Sequence, residues 1–143
     1  MKSYAIETGN PCEQLIVSNI RFSYEDFAIG SPYNTTFNIK VNSGDFAGVS
    51  EFEYNIKDFV RFIEELKELY EFKISQVELN DICHGSNIII GLNQLGHITI
   101  SGTLYGNAME HSLKFIFVTD QTAIKAFSKS LYNDFVIENI FNL

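Results

Sequence analysis

Tryptophan is absent, cysteine, proline and methionine occur twice each, and histidine three times. Each scarcity closes off a class of explanation. Cys12 and Cys83 are too few and too far apart for a disulfide framework, and neither sits in the paired spacing of a zinc site, so both are expected to be reduced and structural. Nowhere do about 18 apolar residues run together, as a membrane span requires. The opening MKSYAIETGN breaks its apolar run at Glu7 and offers no signal-peptide core, so a cytoplasmic location is expected. Positive charge is scarce too: ten Lys and Arg stand against eighteen Asp and Glu, for a net charge of −8. That balance counts against direct nucleic-acid binding, which needs clustered bases to displace counterions, and against anionic membrane surfaces.

The reactive constellations are missing as well. Cys83 and His84 are neighbours on a stretch read as extended, where adjacent side chains point to opposite sides. His97 and His111 fall in one hairpin about seven residue steps apart, roughly 23 Å at the rise of a strand, too far to share a metal. Neither GxGxxG nor the ending of a P-loop occurs, and the glycines are distributed among strands and turns. No catalytic residue, metal ligand or cofactor site is assigned, and the chain is expected not to be an enzyme.

What the sequence does hold is a strongly two-faced helix at Asn55 to Glu71, NIKDFVRFIEELKELYE. Asn55 is placed to cap it, with Asp58 three residues on as the acidic partner of a capping box. Ile56, Phe59, Val60, Ile63, Leu66 and Tyr70 recur at spacings of three and four, with Phe62 and Leu69 at the edge of that stripe. A helix this lopsided needs a surface to lie on, and flanking strands supply it.

Residues 3–8 and 13–24 read as extended, and SYEDFAIGSPYN, Ser23 to Asn34, reads as a loop. Strands follow at 36–42 and 46–54 around a turn at Ser43 to Asp45, then at 72–80, 88–92, 98–105 and 110–119. A register pairing Leu104 with His111, Gly102 with Leu113, Ile100 with Phe115 and Ile98 with Phe117 gathers the large side chains of the last hairpin on one face. Thr119 or Asp120 caps a second helix running to about Tyr132, with Ile124, Phe127 and Leu131 inward, and the apolar tail FVIENIFNL is expected to dock on the core. A shift of 64 lays Asn55 on Thr119 and Ile63 on Phe127, a weak internal echo. The fold class is α+β: antiparallel meanders with two helices packed against the sheet.

From Asp45 to Asp81 ten acids face four bases, so this quarter of the chain carries −6 of the net charge. An acidic face favours a basic partner and steers its approach. Glu51 and Glu53 project from the outer side of their strand, and Glu64, Glu65, Glu68 and Glu71 from the helix exterior. These six are the candidate contacts for a cationic protein partner.

Three runs carry a family likeness: GDFAGVSEFEYNIKDFVRFIEELKELYE (Gly44 to Glu71), GHITISGTL (Gly96 to Leu104) and LKFIFVTDQTAI (Leu113 to Ile124). In their order and spacing the span from Phe37 to Leu131 resembles the WapI-type immunity proteins of bacterial contact-dependent toxin systems. The length fits one domain over residues 1–143, with a monomer favoured over a dimer. The resemblance implies a small cytoplasmic protein that binds and neutralises the C-terminal domain of a secreted toxin, which in WapA systems is a nuclease acting on tRNA. It carries over no toxin-contacting positions. The alternative from a different class is a small-ligand-binding or accessory domain, with an apolar pocket between the sheet and the Ser23 to Asn34 segment.

Overall fold

The computed structural model describes residues 2–106 and 109–143. Period-two alternation of apolar residues builds one antiparallel meander in each half of the chain. In the first sheet β1 (Ser3–Glu7), β2 (Glu13–Phe22), β3 (Thr35–Ser43) and β4 (Phe46–Tyr54) lie side by side in chain order. In the second, β5 (Gln76–Asn80), β6 (Asn87–Leu92), β7 (Ile98–Tyr105) and β8 (Ser112–Thr119) do the same. The helices are α1 (Tyr24–Ala28), α2 (Ile56–Tyr70) and α3 (Gln121–Tyr132). The α+β class is as expected, but the strands form two four-stranded sheets rather than one, each followed in the chain by its own long helix. The internal echo is in register at a shift of 65, one more than the sequence suggested, since the caps Asn55 and Asp120 are that far apart. At that shift the buried Phe59, Phe62 and Leu66 of α2 fall on the buried Ile124, Phe127 and Leu131 of α3.

Four local expectations change. The Ser23 to Asn34 segment is not all loop: the Ser23 hydroxyl accepts from the Asp26 N–H and starts α1, whose Phe27 packs on Phe22. On α2 the centre of the buried stripe includes Phe62 and Leu69, while Val60 and Tyr70 are half-buried at its edge. The helix is rolled because it faces α3 and β5 as well as its own sheet. In the last hairpin Leu104 pairs with Leu113, Gly102 with Phe115, Ile100 with Phe117 and Ile98 with Thr119. The register has slipped by two residues from the expected one, because the turn is longer and closes on a bond from Gly106 N–H to the His111 carbonyl. A slip of two keeps every side chain on its face, so Phe115 and Phe117 still point inward. The strand expected from residue 72 begins only at Gln76, after a turn through Phe72, whose φ is +62°. Asn107, expected in the hairpin turn, lies outside the described residues.

The capping box is replaced by a longer-range device. Asn55 accepts from the Lys57 N–H as expected, but Asp58 turns to Arg61, 3.4 Å away. The remaining orphan N–H, that of Ile56, goes to the side-chain oxygen of buried Asn34 at 2.8 Å, so the end of the α1 segment caps α2.

The inner faces of both sheets, α2 and α3 share one continuous apolar core. A small polar latch ties the sheets together: the Ser50 hydroxyl donates to the Tyr105 carbonyl at 2.8 Å and therefore accepts from Ser86, whose oxygen also takes the Tyr105 N–H. Beyond α3 the chain widens into a π-helical turn, Asn133–Ile137, and the tail docks as expected, with Phe135 buried and Phe141 against Phe22 and Phe135. Asp134 fixes that turn to the N-terminal strand, accepting from the Tyr4 hydroxyl at 2.6 Å and from Lys2 at 2.7 Å.

Candidate protein-binding surface

The alternation of β4 decides where its carboxylates go. Phe52 and Tyr54 point inward, where Tyr54 meets Phe59 of α2, so Glu51 and Glu53 leave the sheet on the side turned away from α2. Glu51 lies opposite Asn38 and Glu53 opposite Thr36 in the β3–β4 register. The helix glutamates stand on the other side of this layer: Glu64, Glu68 and Glu71 are exposed and Glu65 is half-buried. The six candidates therefore form two groups, not one continuous face.

Within the helix group the local cations are engaged elsewhere. Arg61 pairs with Asp58, Lys57 reaches over the Phe27 ring, and Lys67 lies 5.1 Å from the centre of the Tyr132 ring. Glu71 is 3.5 Å from Lys73. Among the described residues no ion pair reaches Glu64 or Glu68, which stand four residues apart on one exposed helical face. Like charges at that spacing repel by about 0.2–0.5 kcal/mol, a cost that an incoming cation relieves.

Glu65 faces a different feature. Between α2 and the outer edge of β5 runs a groove of about 260 Å³, with Tyr54, Phe62 and Ile82 as its apolar lining and Asp58, Glu65 and Glu78 as its carboxylates, against one cation, Arg61, which is paired to Asp58. The Glu78 carboxylate is held by the side-chain amides of Gln76 and Asn80, at 3.0 and 3.3 Å. Tyr54 is buried, and its hydroxyl accepts from the Asn80 N–H at 2.9 Å. Burial pushes its pKa up to about 12; the Asn80 bond opposes this, and Asp58, Glu65 and Asp81 add to it. Glu78 and Asp58 were not among the candidates. Their charge was visible in the sequence, but the packing of α2 beside β5 that brings them together was not.

Asp81 contributes nothing to the acidic surface. Its carboxylate is buried and accepts from the N–H groups of Glu53, Cys83 and His84 at 2.8–3.1 Å, knotting the 81–84 turn to the end of β4. The His84 ring stands 3.6 Å from the same carboxylate and does not face a ligand set. Among the described residues no three His, Cys, Asp or Glu side chains gather as a metal site. Both cysteines are free and exposed, not in the core as a structural role would place them.

The pocket imagined beside the Ser23 to Asn34 segment is only a shallow groove of about 150 Å³, with Arg21, Asp26 and Asn34 among its lining. A larger one, about 610 Å³, lies on the outer face of the second sheet, lined there by Ile89, Ser101, Thr103 and Ile116 and at its rim by Phe46 of the β3–β4 hairpin. No helix among the described residues is long and apolar enough to cross a membrane.

The family model of the immunity protein WapI-like family matches residues 8–136. No match was found among curated proteins or among solved structures. The matched span takes in β2 and the α1 segment, which the likeness seen in the sequence, confined to Phe37 to Leu131, had left out. From β2 into the π-helical turn this chain belongs to the WapI-like immunity protein family.

Proposed function

We propose that this chain protects the cytoplasm of its cell by binding the C-terminal domain of a cognate toxin and holding it inactive, and that this toxin domain is a nuclease of the tRNA-cleaving type. The chain works by occupation, as a monomer, without a cofactor and without touching nucleic acid itself. The observation that carries the electrostatic part is the pair Glu64 and Glu68, exposed, four residues apart and, among the described residues, without a cationic partner, in a segment that carries most of the net charge. A nuclease domain is basic where it meets a phosphate backbone, and an acidic helix presented to it raises the encounter rate.

The test is co-purification with the toxin C-terminal domain encoded beside this protein, then association rates at rising salt. The double variant Glu64→Lys/Glu68→Lys is expected to slow association about tenfold or more at low salt and to flatten the salt dependence. Unchanged rates in that variant would remove the helix from the interface. A second reading, a small-ligand or accessory role, draws on the groove beneath Phe46. It predicts a thermal shift with one member of a metabolite panel and no complex with the toxin domain.

A further inference from the structure

Antiparallel pairing leaves every second residue of an edge strand with its N–H and C=O turned outward, and β5 is such an edge. The phase follows from two bonds that extend its ladder with β6: Leu92 N–H to the Ser75 carbonyl and Asp81 N–H to the Ser86 carbonyl. Residues 75, 77, 79 and 81 therefore turn their backbone groups toward β6, and 76, 78 and 80 turn theirs away. The bond from Asn80 N–H to the Tyr54 hydroxyl, on the outer side, agrees. Gln76 and Glu78 are exposed and, among the described residues, their outward N–H and C=O groups meet no partner. The acidic groove opens along this same edge, so backbone donors and acceptors, an apolar floor and three carboxylates lie side by side.

The other half of the molecule makes the contrast. There α3 packs beside β1 as α2 packs beside β5, but Lys2 and Tyr4 grip Asp134 across that junction. Among the described residues the α2–β5 junction has no such clasp: the Tyr54 hydroxyl that takes the Asn80 N–H comes from the end of β4, and Glu65 and Glu78 bridge to no cation.

We propose that the open edge of β5 receives an extended, basic segment of the toxin domain as a fifth strand of the second sheet, its Lys or Arg side chains answering Glu65 and Glu78, the two groove carboxylates that Arg61 does not engage. This rests on the immunity reading. Main-chain bonds to Gln76 and Glu78 fix the added strand, and the groove selects its charge. The side chains pointing inward lie over Phe62 and Ile82, so alternate positions are basic and apolar.

The experiment uses the full chain and the C-terminal toxin domain encoded beside it. Hydrogen exchange on the two wild-type proteins is expected to slow at the Gln76 and Glu78 amides when the complex forms. Glu78→Pro deletes an outward N–H that β6 does not use, and is expected to weaken binding roughly tenfold or more while leaving thermal stability near wild type. Glu65→Lys is expected to weaken it too, with the amide protection shifted in midpoint but still present at saturation. A wild-type complex in which the Gln76 and Glu78 amides exchange as fast as in the free chain would overturn the strand addition and leave the immunity reading standing. Protection of those amides in the free protein that dilution removes would identify a second copy of this chain as the occupant, also overturning it. Absence of any complex would remove both readings together.

Discussion

Replacing Asp134 tests the clasp that holds the C-terminal turn to the first strand. One carboxylate oxygen takes the Tyr4 hydroxyl at 2.6 Å and the Lys2 ammonium at 2.7 Å, and the other takes the Asn133 amide at 3.2 Å. Lys2 is 60% exposed, so its share is below about 1 kcal/mol. Tyr4 is only 4% exposed, and losing its acceptor strands a buried hydroxyl at a cost of about 1–3 kcal/mol. Asp134→Ala is therefore expected to destabilise by about 2–4 kcal/mol, and Tyr4→Phe by about 1–2 kcal/mol. The two should couple by at least about 1 kcal/mol in a double-mutant cycle. Urea unfolding followed by circular dichroism or tyrosine emission reads these values, since the chain has no tryptophan. The pH dependence adds a second handle. Burial alone would raise the Asp134 pKa, but hydrogen bonds from Lys2, Tyr4 and Asn133 outweigh it and hold the carboxyl below its ordinary value. A group depressed on folding contributes its stability in full above its unfolded value, about 3.9, and loses it as pH falls through the folded value. The wild type should therefore lose stability more steeply than Asp134→Asn on acidification below about pH 4. An additive cycle and parallel acid limbs would refute the clasp.

Ser128 is buried in α3 with a hydroxyl that finds no partner among the described residues, so Ser128→Ala is expected to stabilise by about 0.5–1.5 kcal/mol and to raise the melting temperature by a few degrees. Asn34→Ala removes the oxygen that takes the Ile56 N–H and should cost about 1–3 kcal/mol in the urea midpoint, although the residue lies far from α2 in sequence. Gly102 sits at a φ of +156°, and a Cβ there would overlap the Asn87 carbonyl of the neighbouring strand. Gly102→Ala is expected to cost about 3 kcal/mol or more and to show as a sharp loss of soluble protein, since the obstacle is backbone and cannot swing aside.

Local periodicity carried most of the fold. The strands at 36–42 and 46–54 and both long helices were readable because one face of each is buried and the other wet, which writes the period into the residue order. What failed depended on contacts distant in sequence. The roll of α2, which moves Phe62 and Leu69 to its centre, comes from α3 and β5. Its second cap comes from Asn34, on the far side of two strands. The two-residue slip in the last hairpin was invisible because both registers put the same side chains inward. The short α1 was missed because a helix of five residues, begun at a hydroxyl cap and ended just before Gly30, leaves no room for a helical repeat.

The candidate surface shows the same limit more sharply. Charge could be counted along the chain, but a count has no faces. Asp81 was included although its carboxylate is turned inward to three backbone N–H groups. Glu51 and Glu64 were grouped although a layer of structure separates them. Glu78 was left out because it was read as one acid on a strand, while its setting depends on which helix lies beside that strand. The repeat explains that adjacency. Each half consists of a meander and a helix, yet each helix also reaches the first strand of the other half, α2 beside β5 and α3 beside β1. Two equivalent junctions result, and they have diverged: one buries its carboxylate under Tyr4 and Lys2, the other leaves Asp58, Glu65 and Glu78 facing solvent beside an unpaired strand edge. A fold built twice needs the same closure twice, so the junction left open is where a partner is to be sought.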